Sequence, residues 1–230
     1  MHLLAAQAGA LQQEGEAIDL GQTPGAIIFA SAADSELSLI AAAVDRAGAT
    51  DLRLANLLRL SHNLSVDLWI DKTVSGARLV VVRLLGGMAY WPYGVDQLSA
   101  LAADGRFQLA LLPGDAAPDP ILHARSTVPG DVYARLHSLF TAGGPVNADA
   151  VLAIYRELAG PHPSLPVENG PRPFPRFGYW LPGRGIVDAI AVDARPAVPL
   201  LFYRAALEGA GTATLEALCA ELDRQGLRAV

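Results

Sequence analysis

Short apolar runs that alternate with helix-length segments constrain the fold of this chain most strongly. Four runs of mostly aliphatic residues occupy residues 26–31, 52–58, 77–87 and 107–115. Their apolar residues fall on both faces and do not alternate with polar ones, as expected for strands that helices cover on both faces. Segments with helical periodicity separate them, at residues 35–48, 64–76 and 94–105. Strands that alternate with helices of this length predict βαβ units and a mostly parallel sheet.

The remaining residues fall into three further sections. Two helices are predicted in residues 116–160, and nine of the sixteen prolines lie between residues 161 and 199. Proline lacks the amide N–H and excludes the helical region from the preceding residue, which predicts an irregular connection laid over a protein surface. The strand and helix pattern then restarts, with a predicted strand at 198–207, a helix at 212–226 and the first residues of another strand at 227–230.

The sequence therefore predicts an α/β fold with a mostly parallel sheet, flanking helices, a helical section and the start of a second α/β unit. The predicted sections are an α/β unit at 1–115, a helical section at 116–160, a proline-rich connection at 161–197 and the start of a second α/β unit at 198–230. Because the last predicted strand has no following element, we expect a truncated chain. Apolar residues around Leu200 to Leu207 also predict self-association.

Charge and composition exclude several classes of partner and location. The net charge is −6, and Lys72 and the sixteen arginines are scattered without a basic tract, so we expect no nucleic-acid partner. The chain has no uncharged apolar run of about 18 residues and no basic leader, so we expect a cytoplasmic protein without a membrane partner. The single cysteine, Cys219, excludes an internal disulfide and is predicted to be an inert, buried helical residue.

Common catalytic motifs are missing from the sequence. It contains no Gly-x-x-x-x-Gly-Lys-Ser/Thr loop, so ATP hydrolysis by that route is not expected here. It also lacks Gly-x-Ser-x-Gly, Cys-x-x-Cys and His-Glu-x-x-His. The five histidines are never closer than 14 residues, so no local pair has metal-ligand spacing and no metal ligand is identified. Gly209-Ala210-Gly211 is interpreted as a tight turn before a helix capped by Thr212, in preference to a phosphate cradle.

An unusual combination of motifs occurs between residues 52 and 94: LRLANLL, SVDL, ARLVVVRLLGG and YWPYG. Further motifs flank it on both sides: EAIDLGQTP, SAADSEL, PRFGYWLPGRGIVD and VPLLFYRAALEGAGTATLEAL. Together they cover nearly the whole chain, which resembles the amino-terminal portion of the large, tetrapyrrole-binding subunit of aerobic cobaltochelatase. The chain departs from the family pattern at Asn63, where proline is expected, and at Trp69, where tyrosine or histidine is usual. It is also several times shorter than the family's large subunit.

The resemblance implies a role in cobalamin biosynthesis. The complete subunit is expected to bind the corrin hydrogenobyrinic acid a,c-diamide and to insert Co(II), its substrate metal, as a ligase that forms nitrogen–metal bonds. ATP and Mg are expected to be used by two smaller partner subunits, one an AAA+ ATPase, and not to bind this chain. The chain alone is expected to be inactive. The alternatives are a non-catalytic tetrapyrrole-binding or scaffolding module and a protein like the large subunit of magnesium chelatase.

Two residues are candidates for the chemistry of metal insertion, which must remove two ring N–H protons and deliver a weakly held metal. His62 is a candidate base or transient ligand, or alternatively a helix cap. Asp67 and Asp71 lie four residues apart on one helix face, which suits paired carboxylates but is also typical of a solvated acidic face.

Four further residues are candidates for contact with the corrin. Tyr90, Trp91 and Tyr93 follow a predicted strand, at the carboxyl end where open α/β sheets bind ligands. Their rings could stack on a macrocycle or could close a turn and pack on the core. Arg83 lies inside the strand and could bind a substrate carboxylate or could be buried in an ion pair.

Overall fold

A sheet of four parallel strands organises the first part of the protein, seen in a computed structural model that describes residues 16–161, 170–175, 177–208 and 211–230. The strands lie in the order β2-β1-β3-β4, with bounds β1 Ile27–Ser31, β2 Leu52–Asn56, β3 Leu79–Leu84 and β4 Gln108–Pro113. Phe29 of β1 aligns with Leu54 of β2 on one side and with Val81 of β3 on the other. Every residue of β1 and β3 is buried. The predicted α/β fold with a parallel sheet is confirmed.

Three helices cover one face of this sheet. They are α1 (Asp34–Ala47), α5 (Gly130–Ala142) and α6 (Pro145–Leu158). Their apolar stripes pack on alternate strand residues, among them Phe29 and Val81. The predicted helical section at 116–160 is therefore not separate from the α/β unit, because two of its helices complete the core of the sheet. Helical periodicity predicts these helices but does not say which surface buries them.

The opposite face carries helices α2 (Asn63–Lys72), α3 (Pro92–Ala103) and the short α4 (Pro120–Ala124). Two strand predictions ran too far, since β2 ends at Asn56 and β3 at Leu84. The Asn56 side chain accepts a hydrogen bond from the Leu58 amide at 2.9 Å and starts a 3₁₀ turn at Leu57–Leu60. The short polar side chain thus offers the backbone an alternative to continued strand pairing.

A buried ion pair fastens the carboxyl ends of the strands. Arg83 of β3 is 4% exposed and pairs with Glu36 of α1, which also accepts a hydrogen bond from Ser31 at 2.7 Å. The guanidinium group donates to the carbonyl oxygen of Pro113 at 3.0 Å and lies 4.6 Å from the centroid of the Phe140 ring. These contacts join three strands to two helices.

Smaller elements follow in the last part of the described chain. Their bounds are β5 Tyr179–Leu181, β6 Gly185–Val187, β7 Ala197–Val198, α7 Ala205–Glu208, α8 Ala213–Arg224 and β8 Arg228–Ala229. Strands β5 and β6 form an antiparallel hairpin inside the predicted proline-rich connection, and β7 pairs with β8 in parallel. The predicted final helix and last strand are confirmed as α8 and β8.

Three predictions for residues 198–230 are wrong or concern residues that the structure does not describe. The predicted strand at 198–207 is wrong beyond Val198, since residues 199–203 are irregular and α7 follows. Cys219 is half-buried on α8 and does not lie in a core. Gly209 and Ala210 of the predicted turn lie outside the described residues, and Thr212 makes no side-chain cap bond to α8. Among the described residues, the helices are too short or too polar to cross a membrane.

The buried pair makes a testable prediction about stability. Replacing Glu36 with alanine leaves the Arg83 guanidinium buried without its carboxylate, so the free energy of unfolding should fall by about 3 kcal/mol. The matched control is Asp149→Ala, which breaks an exposed pair with Arg46 whose side chains are 44% and 52% exposed. That change should cost less than about 1 kcal/mol. Urea unfolding of the two variants measures both values, and equal losses would contradict the structural role of Arg83.

Candidate functional site

Loops from two strands meet on the α2–α3 side of the sheet, at the carboxyl ends of the strands. The loop after β2 leads through Leu60 and His62 into α2, and the loop after β3 leads through Tyr90 and Trp91 into α3. The carboxyl ends of parallel strands share one edge, which is where ligands of open α/β sheets bind. We call the five candidates at this place the aromatic edge: His62, Asp67, Tyr90, Trp91 and Tyr93.

Trp91 is part of the core of the aromatic edge. Its side chain is 3% exposed, and its indole N–H donates to the carbonyl oxygen of Leu60 at 2.8 Å. The ring meets Trp69 edge-on with centroids 6.1 Å apart. It also lies directly on Gly94, where an added Cβ atom would overlap the indole. An enclosed ring of this kind has no free face, so the structure favours packing over stacking on a macrocycle for Trp91.

Tyr93 and Asp67 connect the two helices of the aromatic edge. The phenol of Tyr93 donates to a carboxylate oxygen of Asp67 at 2.7 Å, and this hydrogen bond raises the pKa of Tyr93. Asp67 is solvent-exposed, as is Asp71 one turn later. The pair holds α2 beside α3 and leaves Asp67 free to accept further hydrogen bonds.

His62 is the N-cap of α2. Its Nδ1 atom accepts a hydrogen bond from the Leu64 amide at 3.1 Å. This contact uses the lone pair of Nδ1, and in the neutral ring the remaining nitrogen, Nε2, carries the proton. In this conformation His62 has the geometry of the cap alternative, because the Leu64 amide occupies its Nδ1 atom.

Tyr90 differs from its two aromatic neighbours. Its ring is half-buried, and burial raises the pKa of its phenol. Within the described ranges, its hydroxyl has no hydrogen-bond partner. The ring packs partly against the core, so among the three aromatic candidates Tyr90 is distinguished by its unpaired hydroxyl.

Arg83 lies apart from the aromatic edge. Its side chain points to the opposite face of the sheet, where Glu36, the Pro113 carbonyl and the Phe140 ring occupy the guanidinium group. The structure thus shows the buried-pair alternative for Arg83, and the sequence candidates divide between the two faces.

A polar group that sequence reasoning missed lies close to the same sheet edge. The Tyr133 ring stacks on His123 with centroids 4.3 Å apart, and its hydroxyl has no hydrogen-bond partner within the described ranges. Burial, together with the negative charge of Asp119, raises the pKa of Tyr133 to about 12. Asp119 caps α4 by accepting the amides of Ile121 and Leu122. The Asp119-Pro120 step is a readable helix start, but nothing in the sequence places Tyr133 beside it.

Metal-binding side chains do not gather in the described part of the chain. No group of three or more His, Cys, Asp or Glu residues there is arranged to hold an ion. The aromatic edge is therefore a set of ring and carboxylate contacts, with no ligand cluster among the described residues.

Comparison with known proteins decides the family. The chain is 42% identical over 248 aligned residues to the aerobic cobaltochelatase subunit CobN of Sinorhizobium sp., an alignment that covers 100% of this chain and 19% of that protein. The corresponding subunit of Pseudomonas aeruginosa is 36% identical over 236 residues, covering 99% of this chain and 18% of the relative. This chain is related to one part of the cobaltochelatase subunit CobN. No family model matches it.

A solved structure supports the same relationship. The catalytic subunit of cobaltochelatase from Mycobacterium tuberculosis matches with a TM-score of 0.63 and 25% identity, over 90% of this chain and 16% of that one. The predicted resemblance to the cobaltochelatase large subunit is confirmed. The chain spans about a fifth of the length of the curated CobN relatives that it matches.

The cap at His62 can be tested by two substitutions. His62→Ala removes the acceptor for the Leu64 amide and should lower the free energy of unfolding by about 1 kcal/mol. His62→Asn supplies an equivalent acceptor and should retain most of the stability, since asparagine is a strong N-cap residue. Urea unfolding compares the variants. Equal destabilisation by both would show that the ring is needed for something other than the cap.

Tyr133 predicts a pH dependence of folding. Its pKa of about 12 exceeds the ordinary value of 10.0, so the native state keeps the proton at a pH where the unfolded chain loses it. The resulting stability is complete below pH 10 and declines as the pH rises toward 12. Tyr133→Phe should reduce this decline in unfolding free energies measured across that range. The control, Tyr203→Phe, removes a phenol that is 75% exposed. A decline that Tyr133→Phe leaves unchanged would contradict the assignment.

Proposed function

We propose that this chain is a working part of the large subunit of aerobic cobaltochelatase. In the complete subunit it would help to bind hydrogenobyrinic acid a,c-diamide and to insert Co(II) during cobalamin biosynthesis. ATP would be hydrolysed by two smaller subunits, one an AAA+ ATPase, in keeping with the missing P-loop. The observation that carries the proposal is the match of the whole chain to two CobN subunits at 42% and 36% identity.

Cobalt is favoured over magnesium as the metal of the complete subunit. Both curated relatives and the solved structure are named as cobaltochelatase subunits. This agreement favours the corrin pathway over the magnesium chelatase alternative.

We propose a supporting role for most of the aromatic edge. The Trp91 ring packs in the core and donates to the Leu60 carbonyl. Tyr93 makes the hydrogen bond between α3 and α2, and His62 caps α2. Tyr90 and the outer carboxylate oxygen of Asp67 remain as groups that could contact a corrin. We infer that this chain shapes the site and does not insert the metal alone.

A segment exchange tests the proposal. The matching stretch of the Sinorhizobium subunit is replaced by this chain, and cobalt insertion with the purified smaller subunits is followed by the change in corrin absorbance. Because the fold is shared, the chimera should retain activity within about tenfold, a barrier change below about 1.4 kcal/mol. The isolated chain should insert no cobalt with the same smaller subunits.

Two variants of the chimera sharpen the result. Tyr90→Ala should raise the KM for the corrin about two- to tenfold, the range expected from loss of one ring contact. Tyr93→Phe keeps the ring but removes the hydrogen bond to Asp67, so it should leave that KM unchanged. A folded chimera without activity, or cobalt insertion by the isolated chain, would contradict the proposed function.

A further inference from the structure

The last part of the chain has regular elements but no core. In the described ranges 170–175, 177–208 and 211–230, every residue keeps some solvent exposure, whereas β1 and β3 are wholly buried. Four large apolar side chains stand out there by their exposure, which runs from 75% to 101%: Phe177, Val192, Leu201 and Tyr203. Large exposed apolar surfaces in folded proteins often mark sites that another segment or protein covers.

Two of these residues, Phe177 and Leu201, help to line a cavity of about 800 Å³. Its walls are the β5–β6 hairpin, the irregular residues 199–204 and helix α8. Trp180 and Phe202 meet edge-on inside it, with ring centroids 6.0 Å apart. We call this cavity the apolar cleft and define it by the side chains Phe177, Tyr179, Trp180, Leu200, Phe202 and Leu215.

The small sheet formed by β7 and β8, beside the apolar cleft, also lacks neighbours among the described residues. Strands β7 and β8 are each two residues long and pair in parallel, and within the described chain each pairs with no other strand. Parallel sheets are found with both faces covered, and a two-stranded sheet is marginal in water. The unpaired edges can accept a further strand.

The charges at the rim do not call for an ionic ligand. Arg195 is paired with Asp193 at 2.6 Å and also with Asp223, and Arg204 is paired with Glu208 at 2.7 Å. A third arginine of the lining, Arg228, adds to the effect of Arg195 in lowering the pKa of the Asp193 carboxyl. An anion would therefore have to compete with these carboxylates to bind the arginines. The free surface of the cleft is mainly aromatic and aliphatic, which suits an apolar stretch of polypeptide.

We propose that a segment of the same cobaltochelatase subunit, from outside the stretch that this chain matches, fills the apolar cleft and completes the second unit. About four-fifths of each curated relative lies outside that stretch, so such polypeptide is available. Covalent linkage gives it a high effective concentration at the cleft, which a separate protein lacks. The inference rests on the proposed function, because it requires the longer subunit.

Thiol labelling tests directly whether such a segment covers the apolar cleft. Cys219 is the single cysteine of the chain and lines the cleft, so it reports without any substitution there. A second probe is Leu201→Cys in a Cys219→Ser background, with Ala100→Cys on the exposed side of α3 as the reference. Maleimide labelling is followed peptide by peptide in this chain and in the full-length subunit without its partners.

The expected result is a loss of reactivity in the full-length subunit. Relative to Ala100→Cys, the probe at residue 201 should label at least about tenfold more slowly there than in the isolated chain, and Cys219 should slow as well. Equal rates in the two proteins would overturn the proposal. Protection that appears only at high protein concentration, or only after the smaller subunits are added, would overturn it in favour of a second copy or a partner. Labelling does not depend on cobalt insertion, so failure of the proposed function is recorded separately.

Discussion

Burial of the parallel sheet on both faces is the constraint on which the rest of the structure depends. Because β1 and β3 have no exposed residue, each connection must return a helix across one face or the other. Helices α1, α5 and α6 cover one face, and α2 and α3 cover the other. Because the four strands are parallel, the loops that follow them all lie at the carboxyl edge of the sheet. Arg83 and Glu36 fasten that edge on one side, and the Trp91 indole fastens it on the other.

The aromatic edge shows how packing and ligand binding compete for the same residue types. Aromatic rings after a strand suit a flat macrocycle, but they also suit the space between two helices. Trp91 and Tyr93 serve the second purpose through the Leu60 carbonyl and the Asp67 carboxylate. Tyr90 packs partly against the same core, but its hydroxyl makes no hydrogen bond within the described ranges.

Sequence patterns predicted the elements whose signals are local. The apolar run around Val81 and the helix after Ala33 formed as expected, with bounds shifted by a few residues, although that helix begins without a side-chain cap. The apolar run at 199–203 predicted a strand, but no strand forms beyond Val198, and Leu201 and Tyr203 are exposed. The candidate site residues were selected by their position after predicted strands. The hydrogen bond between Tyr93 and Asp67 could not be predicted, because it depends on how α2 packs beside α3.

Amide hydrogen exchange tests most directly the claim that one unit is complete and the other is finished by the rest of the subunit. Amides of β1, β3 and β4 should be strongly protected both in this chain and in the full-length subunit, because their core is present in each. Amides of residues 197–204 should exchange rapidly in this chain and slowly in the full-length subunit. Equal protection of residues 197–204 in both proteins would contradict the account.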